Sequence, residues 1–254
     1  MRPELTPVSP GVVRVSWPAE VELTGAPALA EEVRATAREV FGNGTVRLEA
    51  HVDPEDHAGQ RVASLAGLRK EGVARGAADG RDRIVYAILA DDAPADHPTG
   101  FRAMLNAMLP RKRAIGQMLV RDPDDRVLLC QLTYKRDFDL PGGVVEVGES
   151  PRLAVAREVE EELALKLDAG ALVLTDWLPP WGGWDDAVCL VFDGGVHDPS
   201  LLDAVVRQER EIRSAGFYSI HEAEELCADF TLRRIRAALD SLHGNGSGYT
   251  ESGR

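Results

Sequence analysis

Apolar positions along the chain fall into two blocks in which strand and helix periodicities alternate. Residues 12–17, Val-Val-Arg-Val-Ser-Trp, follow the period of two expected of a strand. Over 28–41, Leu29, Val33, Ala37, Val40 and Phe41 recur at helical spacing, and Gly42-Asn43-Gly44 ends that helix. Residues 45–52 alternate again, 56–68 read as a second helix closing at Gly67, and 83–89 read as a closing strand. The polar, proline-containing stretch 91–98 suits a linker, and a short amphipathic helix over 101–109 follows it. In the second block, strands over 115–121 and 127–132 flank the turn Asp122-Pro123-Asp124-Asp125. A Gly-Gly loop leads to a strongly acidic helix at 150–163; strands at 172–178, 187–192 and 213–219 and helices at 222–226 and 230–242 complete the block. The Gly-, Ser- and Asn-rich tail, 244–254, is expected to be disordered.

These patterns predict an α/β chain with a domain at 1–92, a linker with a short helix at 93–111 and a second domain at 112–243. Twenty-nine Lys and Arg against 42 Asp and Glu leave a net charge of −13, with 11 basic and 15 acidic residues in 1–92. So acidic a chain is not expected to track nucleic acid, which needs a basic surface. Three cysteines, Cys130, Cys189 and Cys227, form no CxxC pair, which argues against disulfides and thiolate zinc and for a cytoplasmic protein. No run of 18 apolar residues suggests a membrane span.

Chemistry concentrates in the acidic helix. Ser150 is a good N-cap and Pro151 suits the first helical position. At 100° per residue Glu158, Glu161 and Glu162 share an arc of roughly 100°, while Ala156, Val159 and Leu163 lie opposite. Three carboxylates on one side repel one another, a cost that a hard divalent cation, Mg²⁺ or Mn²⁺, relieves. A solvated acidic face is the alternative for the helix taken alone.

The spacing Gly143–x5–Glu149–x7–Arg157-Glu158-Val159–x–Glu161-Glu162, led in by Asp139-Leu140-Pro141-Gly142-Gly143, resembles the signature box of the Nudix hydrolases. The resemblance covers about residues 112–242. It implies an α/β/α sandwich with a mixed sheet and a hydrolase that splits a pyrophosphate bond in a nucleoside diphosphate linked to another moiety. By the same resemblance Glu158, Glu161 and Glu162 bind the metal, one of them acting as base toward water. Glu149 and Arg157 pair to hold the loop against the helix, and a carbonyl of Gly142 or Gly143 completes the metal's shell. A homodimer is common in the family. Glu209 and Glu211 are the nearest candidates for a further carboxylate. The box normally has Gly where this chain has Ala164, which implies either a strained left-handed residue or a longer helix. A Nudix fold used as a non-catalytic nucleotide sensor is the alternative, against which the intact glutamates argue.

For the substrate, Trp181 and Trp184 in the loop Pro179-Pro180-Trp181-Gly182-Gly183-Trp184 are candidates to stack on a base or sugar, with Trp177 expected in the core. Arg136, in Tyr134-Lys135-Arg136, is a candidate phosphate contact. Pro180 lies 16 residues after Ala164, an offset similar to that of the ADP-ribose pyrophosphatase subfamily and a weak pointer to ADP-ribose or a nucleotide sugar.

The first block, over 12–92, looks like the C-terminal half of an N-acetyltransferase of the kind that modifies ribosomal proteins, carried by residues 48–56, Gln60-Arg61-Val62-Ala63 and 67–76. The pyrophosphate loop of that family needs closely spaced glycines so that backbone N–H groups face the phosphates. Here it reads Thr24-Gly25-Ala26-Pro27-Ala28, and Asp56 stands where the family commonly has a cofactor-contacting Asn. The expectation is a truncated acetyltransferase-like domain without acetyl transfer, serving docking or dimerisation. His51 and His57 are read as structural or solvated.

Overall fold

The second strand of the chain runs beside its third in parallel, a pairing that requires a crossover, and α1 (Ala26–Gly42) supplies it between β2 (Val12–Ser16) and β3 (Arg47–Val52). The computed structural model describes residues 3–18 and 22–254. The chain divides into two compact units, 1–110 and 111–254. In the first, β1 (Glu4–Ser9), β4 (Arg69–Ala78) and β5 (Arg81–Leu89) join β2 and β3 in a five-stranded sheet of order β1-β2-β3-β5-β4. The apolar stripe of α1 (Leu29, Val33, Ala37, Val40) and that of α2 (His57–Leu65) bury against Leu48, Ala50 and Tyr86.

Two strands of this unit escape the alternation pattern. Every residue of β1 is exposed, so it has no apolar face to betray it. In β4, glycines and charged residues hide the period, and the pairing with β5 slips between Lys70 and Gly72. The stretch expected to be a linker belongs to this unit instead: α3 (Pro98–Met108), capped by His97, packs against β4.

In the second unit β12 (Ile212–Tyr218), β7 (Val127–Leu132), β6 (Arg113–Arg121), β11 (Ala187–Val196), β10 (Leu172–Leu178) and β13 (Tyr249–Glu251) lie side by side in that order. β8 (Phe138–Asp139) adds to β7 and β9 (Gly142–Val144) to β6. The sheet is mixed, because β6 and β11 are parallel while β10–β11 and β7–β12 are antiparallel. Both faces are covered. Met118 and Val120 on β6 point toward α4 (Pro151–Leu163), whereas Leu119 between them packs with Leu232, Ile235 and Leu239 of α6 (Asp229–Leu242). The short α5 (Ile220–Leu226) precedes α6, giving helix, sheet and helix layers.

The tail corrects the expectation of disorder. Residues 249–251 form β13, parallel to β10 through Thr175–Tyr249, Asp176–Thr250 and Trp177–Glu251. A Gly- and Ser-rich segment has little local reason to order, but the buried carboxylate of Asp176 takes hydrogen bonds from Thr250 Oγ1 and the Gly253 N–H, both at 2.8 Å. Trp177 departs from the expected core place too. It is half-buried, and its indole N–H donates to Asp186 at 3.3 Å.

Candidate active site

Helix α4 begins as its sequence dictates, with Ser150 Oγ accepting the Leu153 N–H at 3.4 Å and Pro151 in the first turn. Ala154, Val155, Val159 and Leu163 are buried against the sheet, so the opposite side is held outward. It ends at Ala164, whose φ of 57° and ψ of 21° are left-handed, so the helix does not continue. An alanine there is strained by on the order of 1 kcal/mol relative to glycine.

The glutamates meet the Gly-Gly loop. Glu158 lies directly over Gly143, where an added Cβ would fall 2.4 Å from its Cδ and 2.6 Å from each carboxylate oxygen. Glu162, only 5% exposed, accepts the Gly142 N–H at 3.0 Å. Gly142 itself, at φ 139°, is pressed against β6, and a Cβ there would lie 2.1 Å from the Gly116 carbonyl oxygen. Glu161 projects farther out.

Arg157 ties the assembly together. Its Nε and Nη2 donate to the two oxygens of Glu149 at 2.9 and 3.0 Å, a bidentate pair that fastens the loop to the helix. Its Nη1 reaches Glu158 at 3.0 Å and Glu161 at 3.1 Å. Arg157 holds the Glu149 carboxyl below its ordinary range. Burial pushes Glu162 up to about 8, and the charges of Glu158, Glu211 and Asp139 add to this against the Gly142 N–H. Burial likewise raises Glu158, opposed by Arg157. Of the two further carboxylates considered, Glu211 is placed by its carbonyl, which accepts the Thr133 N–H at 2.8 Å, and its charge bears on both Glu158 and Glu162.

Among the described residues no three His, Cys, Asp or Glu side chains converge as a ready metal cage. The donors nonetheless fit a hard divalent cation. All are carboxylate oxygens, a guanidinium already bridges Glu158 and Glu161 with positive charge, and Gly143 leaves a cradle that a side chain would fill.

The NUDIX domain matches residues 110–239 of this sequence, just over half of it. The chain belongs to the Nudix family. A MutT-like protein of Streptomyces ambofaciens is 29% identical over 131 residues, spanning 50% of this chain and 76% of that one. Among solved structures, the MutT protein of Methanosarcina mazei Go1 is 22% identical and covers 55% of this chain and 100% of its own, with a TM-score of 0.44. A UDP-X diphosphatase is 14% identical and covers 91% of this chain and 100% of its own, with a TM-score of 0.47.

The other residues singled out lie apart from the glutamates in sequence and differ in setting. In this Nudix unit Trp181 and Trp184 face each other across the tip of the β10–β11 hairpin and are 41% and 59% exposed. The Arg113 guanidinium stands over both rings, 5.7 Å from the centroid of Trp181 and 4.6 Å from that of Trp184, while Trp181 also meets Phe230 at 6.0 Å. Arg136 is exposed on the β7–β8 connection, and it is the neighbouring Lys135 that reaches Asp139, at 2.8 Å. Gln117, Asp176 and Arg234 form a buried polar set between β6, β10 and α6 that no sequence motif marks. Their one signal is phase: a charged residue stands at an inward position of an apolar strand (Asp176) and of an apolar helix face (Arg234).

Proposed function

We propose that this Nudix hydrolase splits the pyrophosphate of a nucleoside diphosphate linked to a second moiety, ADP-ribose or a nucleotide sugar being the favoured class, with Mg²⁺ or Mn²⁺ as cofactor. The observation that carries the reading is Glu158 and Glu162 seated on the Gly142-Gly143 backbone, with Glu161 joined to Glu158 through Arg157, which itself is held by Glu149. When bound, the cation supplies charge to pyrophosphate oxygens and acidifies a water. Glu158, Glu161 and Glu162 would hold it, with a carbonyl of Gly142 or Gly143. Arg157 keeps Glu158 and Glu161 from splaying apart. The proton of the attacking water passes to one of the box glutamates or to Glu211, all carboxylates in one electrostatic neighbourhood. Trp181 and Trp184 offer aromatic faces to a base or sugar once Arg113 yields them, and Arg136 offers charge to phosphate.

Residues 1–92 fit a truncated acetyltransferase-like domain without transfer activity. Asp56 spends its carboxylate on capping its own helix, accepting the Gly59 N–H at 2.8 Å, and α1 starts at Gly25 with no side-chain cap. Measurable acetyl-CoA binding in calorimetry would contradict this. A homodimer in the cytoplasm completes the reading; among the described residues no helix is long and apolar enough to cross a membrane.

The test is phosphorus NMR of a nucleotide panel with Mg²⁺, wild type beside Glu162→Gln. Turnover of one member by wild type and its loss in the variant is expected. Equal turnover by both would overturn the metal assignment, and tight binding without turnover would favour a sensor.

A further inference from the structure

Arg234 is 2% exposed in the middle of α6, and each group it touches leads elsewhere in the unit. Its Nε donates to Asp176 Oδ2 at 2.9 Å, and its Nη1 to Gln117 Oε1 at 3.0 Å. The Phe230 ring lies 5.7 Å from the guanidinium, and Nη2 is buried without a hydrogen-bond partner. The other oxygen of Asp176 is taken by Thr250 of the C-terminal strand and by Gly253 just beyond it, so the carboxylate cannot turn away. Replacing a buried ion pair by apolar residues of similar volume is often neutral or stabilising. Stability alone is therefore a weak explanation for this one.

Gln117 gives the pair a consequence. Arg234 carries only donors, and the Cys189 thiol, at 3.2 Å, donates to the same Oε1. On the opposite side stand two acceptors: Gln117 Nε2 donates to Asp139 Oδ1 at 2.8 Å and to the Leu140 carbonyl at 3.4 Å. One orientation of the amide satisfies both sides, and Arg234 selects it. Asp139 and Leu140 are the residues from which the chain enters Pro141-Gly142-Gly143, and Gln117 pairs with Gly142 across β6 and β9. Gly142 in turn holds Glu162.

We propose that Arg234 is a positioning residue for hydrolysis: through Gln117 it fixes the Asp139–Gly143 loop against which Glu158 and Glu162 are seated. The proposal rests on the reading of those glutamates as the catalytic set, and it concerns only what holds them. Its test is hydrogen exchange at the Gly142 amide, with kcat and KM on the substrate that the panel identifies. Two variants serve, Arg234→Lys, which keeps the charge but cannot reach two partners through a planar fork, and the double variant Arg234→Met with Asp176→Asn, which removes both members of the buried pair and leaves Asp139, 3.9 Å from Arg234 Nη1, to its 2.8 Å pair with Lys135. The expected result is Gly142 exchange faster by about tenfold relative to the amides of β10 and β11. With it, kcat falls about 10–100-fold at unchanged KM. Where Arg234→Lys does not fold, the double variant carries the same comparison. Unchanged Gly142 protection in a folded variant, or acceleration of all amides by one common factor, would overturn the proposal. Retention of full hydrolysis by Glu162→Gln would instead overturn the reading of the glutamates and leave the exchange result to decide this one.

Discussion

The contact between Gly143 and Glu158 makes a sharp prediction, because it separates function from stability. In Gly143→Ala the new Cβ would sit 2.4 Å from Glu158 Cδ, whereas carbon atoms rest about 3.5–4.0 Å apart. The carboxylate must therefore withdraw by about 1 Å. What withdraws is the end of a flexible side chain, and Gly143 does not have the left-handed φ that would strain an alanine backbone. Stability should fall by no more than about 1 kcal/mol, while a displacement of that size in a catalytic group costs on the order of 100-fold in rate. Gly142→Ala is the control. Its Cβ would meet the backbone, 2.1 Å from Gly116 O and 2.8 Å from Gln117 Cα, at φ 139°. It should therefore destabilise the fold by about 2–4 kcal/mol. Thermal denaturation by circular dichroism and kcat/KM from phosphorus NMR distinguish the two. Wild-type activity in Gly143→Ala would refute the reasoning, as would a loss of stability equal to that of Gly142→Ala.

Two further substitutions probe energetics away from the reaction. Ala164→Gly removes a left-handed alanine at the end of α4 and should stabilise the protein by about 0.5–1 kcal/mol, the strain relieved exceeding the added freedom of the unfolded chain; a lowered urea midpoint would refute it. In the first unit, Glu49 is buried and its carboxyl is held below its ordinary value of 4.5, because Arg14 and Arg47 outweigh the burial that pushes it up. A lowered folded-state value means stability that is present above pH 4.5 and lost as the pH falls through the folded value. Glu49→Gln should cost on the order of 1–3 kcal/mol at pH 7. The gap between its urea midpoint and that of wild type should narrow as the pH falls below 4.5 and through the folded value, and a gap independent of pH would exclude the ion pairs as its cause.

What could be read from the sequence, and what could not, divides along the range of the interactions. The α4 segment is legible because its rules are local: a cap and a proline set its start, and a 3.6-residue period gathers Glu158, Glu161 and Glu162 while burying Val159 and Leu163. The Glu149–Arg157 pair spans eight positions and belongs to the same signature. β1 and β4 are illegible for the converse reason, since an exposed edge strand does not need the alternation by which strands are recognised. Gln117 and Arg234 stand 117 positions apart, and no local period links a strand to a helix at that distance. The tail is the clearest case. Its composition reports the entropy of ordering glycines and serines, and on that ground it should stay disordered. The opposing term sits 77 residues away, where Asp176 is buried and still accepting from the Gly253 N–H. Lacking those donors, Oδ1 of the buried carboxylate would be left without its two hydrogen bonds while Oδ2 stays with Arg234, so the cost of ordering the tail is offset by a group that composition never sees. A charged residue in phase with apolar neighbours, as Asp176 and Arg234 are, is thus the trace that a distant partner leaves in a sequence, and here two such traces meet at one ion pair.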